Sequence, residues 1–266
     1  MKIGFIGTGN MGGALARAAA KGGHTLLLAN RTPAKAEALA KELGGTVCPN
    51  AVAAEAAELL FLGVKPQGLP GLAGELAPVV QARKGNAPVV VSMATAVTLR
   101  ELDAMLGGGL PLIRIMPNTP AAVGAGTILY AAQNVTDAQL NAFRAVLAQA
   151  GLLLPLPEAQ IDAASAISGC GPAFCFQFAD ALALGGVRAG LSYPDACRLA
   201  AQTMLGAAEM LLQGGEAPDV LKMRVCSPAG TTIEGVLALE QGGFSYTVQN
   251  AVTAAYRRTV EMTKKG

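Results

Sequence analysis

Lys2-Ile3-Gly4-Phe5-Ile6-Gly7-Thr8-Gly9-Asn10-Met11-Gly12 opens the chain and decides its fold. The first five of these residues form a short apolar run that suits a buried parallel strand. They lead into a G-x-G-x-x-G loop, and a helix follows with Leu15, Ala18 and Ala19 on one face. The glycines have mechanical roles. They permit a tight turn, a close approach of backbone to a pyrophosphate, and close helix–strand packing, with the pyrophosphate on the helix N-terminus. Alone the motif is weak. Set between a strand and a helix, with a second strand at 24–29 at the right distance, it reads as a dinucleotide site.

The end of the second strand selects the dinucleotide. An NAD site usually carries Asp or Glu there for the ribose 2′-hydroxyl. This chain has Asn30-Arg31-Thr32, with Lys35 one helical turn on. No carboxylate repels a 2′-phosphate, Arg31 can bind one through its planar fork, and Thr32 can donate a hydroxyl. NADP(H) is therefore expected, with NADH left open.

Strand–helix alternation continues from there. Helices are expected at 33–43, 51–57 (capped by Asn50), 67–80, 98–106 and from the Thr136/Gln139 capping box to 150. Strands are expected at 46–48, 59–64, 88–92, 112–116, 127–131 and 152–156. Ligands of such sheets bind at the C-terminal strand ends, so Asn50, Val64 and Lys65 are candidates for the ribose side. The rigid turn Pro117-Asn118-Thr119-Pro120 is a candidate for the nicotinamide side. The pattern is a doubly wound sheet of seven or eight strands, over residues 1–156.

Beyond Pro155 and Pro157, strand signals fade, and residues 157–266 read as an all-helical domain. Helices are expected at 158–167 and 173–186, separated by Ser168-Gly169-Cys170-Gly171-Pro172. Further helices follow from a Ser192 cap, near 220–224, and at about 246–264. On the helix after Ser192, the residues Ala196, Leu199, Ala200, Thr203, Met204 and Ala207 keep the spacing of one buried face. Of the 266 residues, 52% are apolar and only 14% charged, against the quarter usual for soluble domains. Some apolar surface is therefore expected between subunits. A net charge of +2 gives no basis for a nucleic-acid or membrane surface, and neither a signal peptide nor a membrane span is read. Five cysteines without a CxxC pair fit a reduced cytoplasmic protein. The single histidine, His24, rules out a His-based metal site or triad. Cys170 has no histidine to activate it and reads as inert.

Within the helical half, Ser227-Pro228-Ala229-Gly230-Thr231-Thr232-Ile233-Glu234 reads as a tight loop running into a helix. Thr231 and Glu234 have capping-box spacing, which makes Thr231 the expected N-cap. The free amides beyond it attract anions, and Thr232 adds a hydroxyl.

Together these motifs resemble the pyrroline-5-carboxylate reductase family over nearly the whole chain. The resemblance rests on Gly7 to Gly12, Asn30-Arg31-Thr32, Val64-Lys65-Pro66, Met116 to Pro120, Ser168 to Phe174 and Ser227 to Thr232. It implies an α/β fold: an N-terminal doubly wound Rossmann domain, then an all-helical C-terminal domain that mediates dimerisation. It also implies an intertwined homodimer, with room for a larger assembly such as a decamer. The implied reaction is hydride transfer from NADPH to the C=N bond of a cyclic imine carrying a carboxylate, giving L-proline. The implied cofactor set is Ile6, Gly7, Thr8, Gly9, Asn10, Met11, Asn30, Arg31, Thr32, Lys35, Asn50, Val64, Lys65, Pro66, Met93, Ala94 and Asn118. The implied substrate set is Val225, Ser227, Gly230, Thr231 and Thr232, with Thr232 hydrogen-bonded to the imine nitrogen as the catalytic candidate. No metal is implied. The family usually has Ser at position 170, Gly at 229 and Ala-Gly at 95–96, where this chain has Cys170, Ala229 and Thr95-Ala96. The competing readings are another imine or β-hydroxyacid reductase of the same build, and a non-catalytic NADP(H)-binding regulator. The first loses ground because 158–173 lacks the lysine that β-hydroxyacid dehydrogenases use. The second gives no reason for a hydroxyl-rich anion site.

Overall fold

The computed structural model describes residues 1–83 and 85–263. Its first part alternates strictly: β1 (Lys2–Ile6), α1 (Asn10–Ala20), β2 (Thr25–Ala29), α2 (Pro33–Leu43), β3 (Thr46–Val47), α3 (Asn50–Ala56), β4 (Leu59–Leu62), α4 (Leu69–Ala82), β5 (Val89–Ser92), α5 (Leu99–Met105) and β6 (Leu112–Met116). Then come β7 (Gly126–Gln133), α6 (Asp137–Leu147), β8 (Gly151–Pro155) and α7 (Glu158–Ser168). The eight strands form one sheet in the order β3-β2-β1-β4-β5-β6-β7-β8. Among the described strands the β6–β7 pair alone is antiparallel. The segment between them holds a single 3-10 turn, Thr119–Val123, which is too short for the helical crossover that a parallel pair needs.

Period-2 side-chain alternation sorts the core into two layers. Ile3, Phe5, Phe61, Val91 and Ile113 pack with Leu15 of α1, Leu39 of α2 and Phe143 of α6. Ile6, Leu60, Leu62, Val90 and Leu112 pack with Ala53 of α3, Leu76 of α4, Leu102 of α5 and Ile161 of α7. Both faces are covered, as expected of strands that are apolar throughout. The strand order reverses at β1, which has β2 on one side and β4 on the other. That reversal opens a crevice at the carboxyl ends.

By compactness the first unit is Met1–Cys170 together with the chain from Ala255, and the second is Gly171–Ala254. The division by compactness falls after α7. The reason is visible on α7, whose Glu158 and Asp162 pair with the buried Arg114 of β6.

The second unit holds α8 (Gly171–Arg188), α9 (Tyr193–Gly214), α10 (Pro218–Arg224), α11 (Thr231–Gln241) and the start of α12 (Phe244–Thr263). The expected end of that last helix at Lys264 lies outside the described residues. α8 and α9 approach closely: a Cβ on Gly186 would lie 3.2 Å from that of Ala196. Among the described residues of this unit only Ala183, Ala196 and Ala200 are buried. The expected buried face of α9 is therefore corrected: Leu199, Thr203 and Ala207 are exposed and Met204 is half-buried. Phe176 at 70% and Leu212 at 81% exposure belong to the same uncovered surface. A helical unit with three buried alanines has no core of its own in a single chain.

Other expectations shift more locally. Asn50 does not cap α3: Pro49 holds the N-cap position and Asn50 is the first helical residue. The break after α7 is only Gly169-Cys170, since α8 already begins at Gly171. Against the expectation of no membrane span, the stretch Glu158–Arg188 is long and apolar enough to cross a membrane by length and composition.

Candidate functional site

The glycine loop separates structural glycines from one that is not. Gly7 has φ +99, and a Cβ there would lie 2.4 Å from the Gly63 carbonyl oxygen. A Cβ on Gly12 would lie 2.0 Å from the carbonyl oxygen of Gly7. Both are glycines because β1, β4 and α1 meet there. Gly9 differs, with no atom within 4 Å of its Cβ position. It is the N-cap of α1, gives no side-chain cap, and has an ordinary φ of −71. Nothing in the chain's own packing asks for glycine there, whereas a ligand lying against the backbone does. The first-turn amides of α1 have no intrahelical acceptors and no acidic residue beside them.

Around this loop lies a cleft of ≈ 730 Å³, lined by Ile6, Gly7 and Gly9 after β1, Asn30, Arg31, Thr32 and Lys35 after β2, and Gly63, Val64 and Lys65 after β4. The Asn30 side chain organises the rim. Its Oδ1 accepts from the Thr8 amide at 3.1 Å, and its Nδ2 donates to the Thr32 carbonyl at 2.9 Å. Arg31, Thr32 and Lys35 are exposed around it, and the Thr32 hydroxyl is not used as a helix cap. The opposite wall was not foreseen: Gly71, Leu72 and Glu75 lie along one edge of α4, with Gln67 and Gly68 just before it. The available signal was the pair Gly68 and Gly71, whose Cβ positions face open space. Asn50 donates to Glu75 at 3.1 Å, and both line the cleft.

Thr8 and Asn10 line a smaller adjoining pocket of ≈ 260 Å³, with Lys35, Arg17 and Glu42. Thr8 is 7% exposed, and its buried hydroxyl has no hydrogen-bond partner. Such an orphan costs free energy unless a ligand or water meets it. Arg17 of α1 forks onto Glu42 of α2 at 2.6 and 2.7 Å. Hydrogen bonding to Arg17 holds the Glu42 carboxyl below the usual carboxylate range. These features fit a dinucleotide carrying an extra phosphate: free helix amides, a cleared Gly9, an orphan hydroxyl, and the cations Arg31 and Lys35 with no acidic residue between them in sequence.

Met11, Pro66, Met93, Ala94 and Asn118 line neither pocket. Ala94 is buried at 2% exposure, and Met93 is half-buried. Both Asn118 side-chain groups are engaged internally: Nδ2 donates to the Ser168 carbonyl at 2.8 Å, and Oδ1 accepts from the Thr127 amide at 2.8 Å. Its side chain ties the turn after β6 to β7 and to the end of α7. Arg114, which the sequence reading passed over, is 3% exposed. It reaches Asp162 at 2.6 Å and Glu158 at 3.3 Å, while Glu158 also accepts from the Leu99 amide at 2.7 Å. These bonds fix α7 against β6 and the start of α5.

In the second unit, α10 ends at Arg224 and Val225 stands 67% exposed. Ser227, Pro228 and Ala229 are exposed, and Gly230 donates its amide to the Ser227 carbonyl at 3.0 Å. Here the expected cap is corrected. Gly230, with extended backbone (φ −82, ψ 168), is the N-cap, and Thr231 is the first helical residue. No side-chain cap forms, so the Thr231–Glu234 capping box is absent. A Cβ on Gly230 would lie 2.2 Å from Ser227 Oγ and 3.0 Å from the Ser227 carbonyl oxygen, so a side chain there would require the serine hydroxyl to turn away. The first-turn amides of α11 are consequently free, with the Thr231 and Thr232 side chains exposed beside them. Ala229 has φ +56 and Ala96, in the loop after β5, φ +62. These are two of the positions where this chain departs from the glycine usual in the family it resembles. Among the described residues no cluster of His, Cys, Asp and Glu could hold a metal.

Comparison with known proteins places both units. Residues 158–262 match a family model described as pyrroline-5-carboxylate reductase dimerisation. Residues 2–96 match one described as NADP oxidoreductase, coenzyme F420-dependent. The pyrroline-5-carboxylate reductase of Synechocystis sp. is 39% identical, over 100% of this chain and 99% of its own length. That of Methanosarcina acetivorans is 37% identical over 99% and 98%. Among solved structures, a pyrroline-5-carboxylate reductase from Coxiella burnetii superposes with a TM-score of 0.90 at 31% identity, covering 97% of each chain. The Plasmodium falciparum enzyme, solved with NADP bound, gives 0.86 at 29% identity over 99% of each.

Proposed function

We propose a reaction from one premise: this chain belongs to the pyrroline-5-carboxylate reductase family. It is a reductase that adds hydride to the C=N carbon of 1-pyrroline-5-carboxylate and yields L-proline, the last step of proline biosynthesis. When bound, NAD(P)H supplies the hydride. The chain works as a homo-oligomer, which accounts for the apolar surface of its helical unit.

The residues divide into two tasks. The free amides of α1 and the cleared backbone at Gly9 hold the pyrophosphate. Arg31, Lys35 and the Thr32 hydroxyl take the 2′-phosphate, and this assignment supports NADPH over NADH. Asn50, Val64 and Lys65 flank the ribose side, while Asn118 and Ala94 shape the nicotinamide side through backbone position. In the second unit, the free amides of α11 with Ser227 and Gly230 hold the substrate carboxylate. Val225 packs on the ring, and the Thr232 hydroxyl hydrogen-bonds the imine nitrogen. An imine is basic enough to take its proton from solvent, so no strong protein acid is required. Catalysis then rests on positioning. The intertwining of subunits, assembly to a decamer and a cytoplasmic location complete the proposal. A modest net charge of +2 and five free cysteines favour that location. Burial of Glu158–Arg188 apolar surface against a second subunit, rather than in lipid, agrees with the dimerisation model over 158–262.

The observation that carries the cofactor assignment is Gly9, a glycine with no intrachain reason to be one. Two variants test the division of tasks. Thr232→Ala should lower kcat far more than it weakens NADPH binding; equal losses would make Thr232 structural. Arg31→Ala should weaken NADPH and leave NADH unchanged; an unaltered preference would remove the 2′-phosphate assignment.

A further inference from the structure

The Ser227–Gly230 turn holds an alanine where its geometry asks for glycine. The Gly230 amide closes the turn onto the Ser227 carbonyl at 3.0 Å. Pro228, at the second position, has its φ fixed near about −65° by its ring. Ala229, at the third, has φ +56. Among the four common hydrogen-bonded turns, only type II combines negative φ at the second position with positive φ at the third, and it normally carries Gly or Asn there. A type I turn joins the same ends with the same closing hydrogen bond and a negative φ at the third position, which alanine prefers. The two forms differ by rotation of one peptide unit, Pro228–Ala229. That rotation exchanges the Ala229 N–H for the Pro228 carbonyl on a given face of the loop. A carboxylate is attracted by the first group and repelled by the second.

Among the described residues, no side chain holds the strained form in place. Ser227, Pro228 and Ala229 are exposed, and among the described residues no side chain hydrogen-bonds to residues 227–230. Strained backbone persists where its surroundings over-determine it, and such positions cluster at ligand clamps. We propose that Ala229 is a positioning residue: it makes the substrate-ready type II turn a minority form in the free enzyme, which the substrate's carboxylate then selects. The proposal rests on the reading of this turn as the carboxylate cradle. Apparent affinity is reduced by the fraction of enzyme in the competent form. A left-handed alanine is disfavoured by about fivefold at the lower end of its known range, or about 1 kcal/mol at 1.4 kcal/mol per tenfold.

The test uses the full-length enzyme with Ala229→Gly. KM for pyrroline-5-carboxylate and Kd for L-proline should both fall about fivefold, with kcat within about twofold and NADPH affinity unchanged. Ala229→Asn should fall between the two, since Asn tolerates the left-handed region better than Ala. A merely structural role would raise thermal stability and leave KM and the proline Kd where they were, which overturns the proposal. Ser227→Ala, measured alongside, separates the two levels. If it raises KM while Ala229→Gly changes nothing, only the switch fails. If neither variant moves KM or the proline Kd, the cradle fails with it.

Discussion

Replacing Gly9 by alanine should leave the fold intact while removing the cofactor. The added methyl meets no atom within 4 Å, and φ −71 with ψ −167 is open to alanine. Loss of glycine stabilises by about 0.4–1 kcal/mol through the unfolded chain. Alanine is a poorer N-cap than glycine, which offsets a similar amount. The net change in folding free energy is then within about 0.5 kcal/mol. Binding behaves differently. The methyl stands where a pyrophosphate must approach the α1 amides, and loss of one charge-assisted hydrogen bond costs about 1.5–3 kcal/mol. The NADPH Kd should rise about ten- to hundredfold. Gly12→Ala is the contrast, because its Cβ would lie 2.0 Å from a backbone oxygen, so folding itself should suffer. Calorimetric titration with NADPH beside urea unfolding reads both quantities. Wild-type NADPH affinity in Gly9→Ala, or a parallel loss of affinity and stability, would refute the argument that Gly9 is cleared for a ligand.

Three further outcomes are expected. Arg114→Ala leaves two carboxylates of α7 facing a vacated buried site and should destabilise by about 3 kcal/mol in urea unfolding; a change below about 1 kcal/mol would show the pairs to be incidental. Ala96→Gly relieves a left-handed alanine and should raise the unfolding free energy by about 1 kcal/mol, whereas a decrease would mean φ +62 is not strained. The Arg17–Glu42 pair lowers the Glu42 pKa in the folded state, so its contribution is complete above the ordinary carboxylate range and fades as pH falls through the depressed value. Glu42→Gln should flatten acid unfolding in that window, and an identical pH profile would show that the pair contributes nothing there.

Local physics explains which features were readable in advance. The N-terminal motif was legible because strand, glycine loop and helix follow one another within the first twenty residues, although the contact that demands glycine at position 7 comes from Gly63, far along the chain. The Thr136–Gln139 capping box formed as read. The same spacing at Thr231 and Glu234 did not, because the helix starts one residue earlier than read: Gly230 holds the cap position and Thr231 is already helical. The i,i+3 spacing of Thr231 and Glu234 carries no information on that choice, which the turn just before the helix makes. The stripe on α9 was apolar as expected, yet periodicity does not say what covers a stripe, and a single chain leaves Leu199 57% exposed. Asn118 was assigned to the cofactor from its place at a strand end. The bonds that occupy it come from Ser168 and Thr127, the first of them far along the chain. The α4 wall of the cleft was hidden because helical glycines usually signal weak helix rather than room for a ligand. Their place on the cleft wall is what sets Gly68 and Gly71 apart from Gly74, whose Cβ position is just as open.

The central claim is that this chain reduces a carboxylated cyclic imine with NADPH. Its most direct test follows NADPH oxidation at 340 nm with purified protein and pyrroline-5-carboxylate, with the product identified by chiral chromatography. Stoichiometric conversion to L-proline is the predicted result. Cofactor binding without oxidation above background, under conditions where a known family member turns over, would contradict the account.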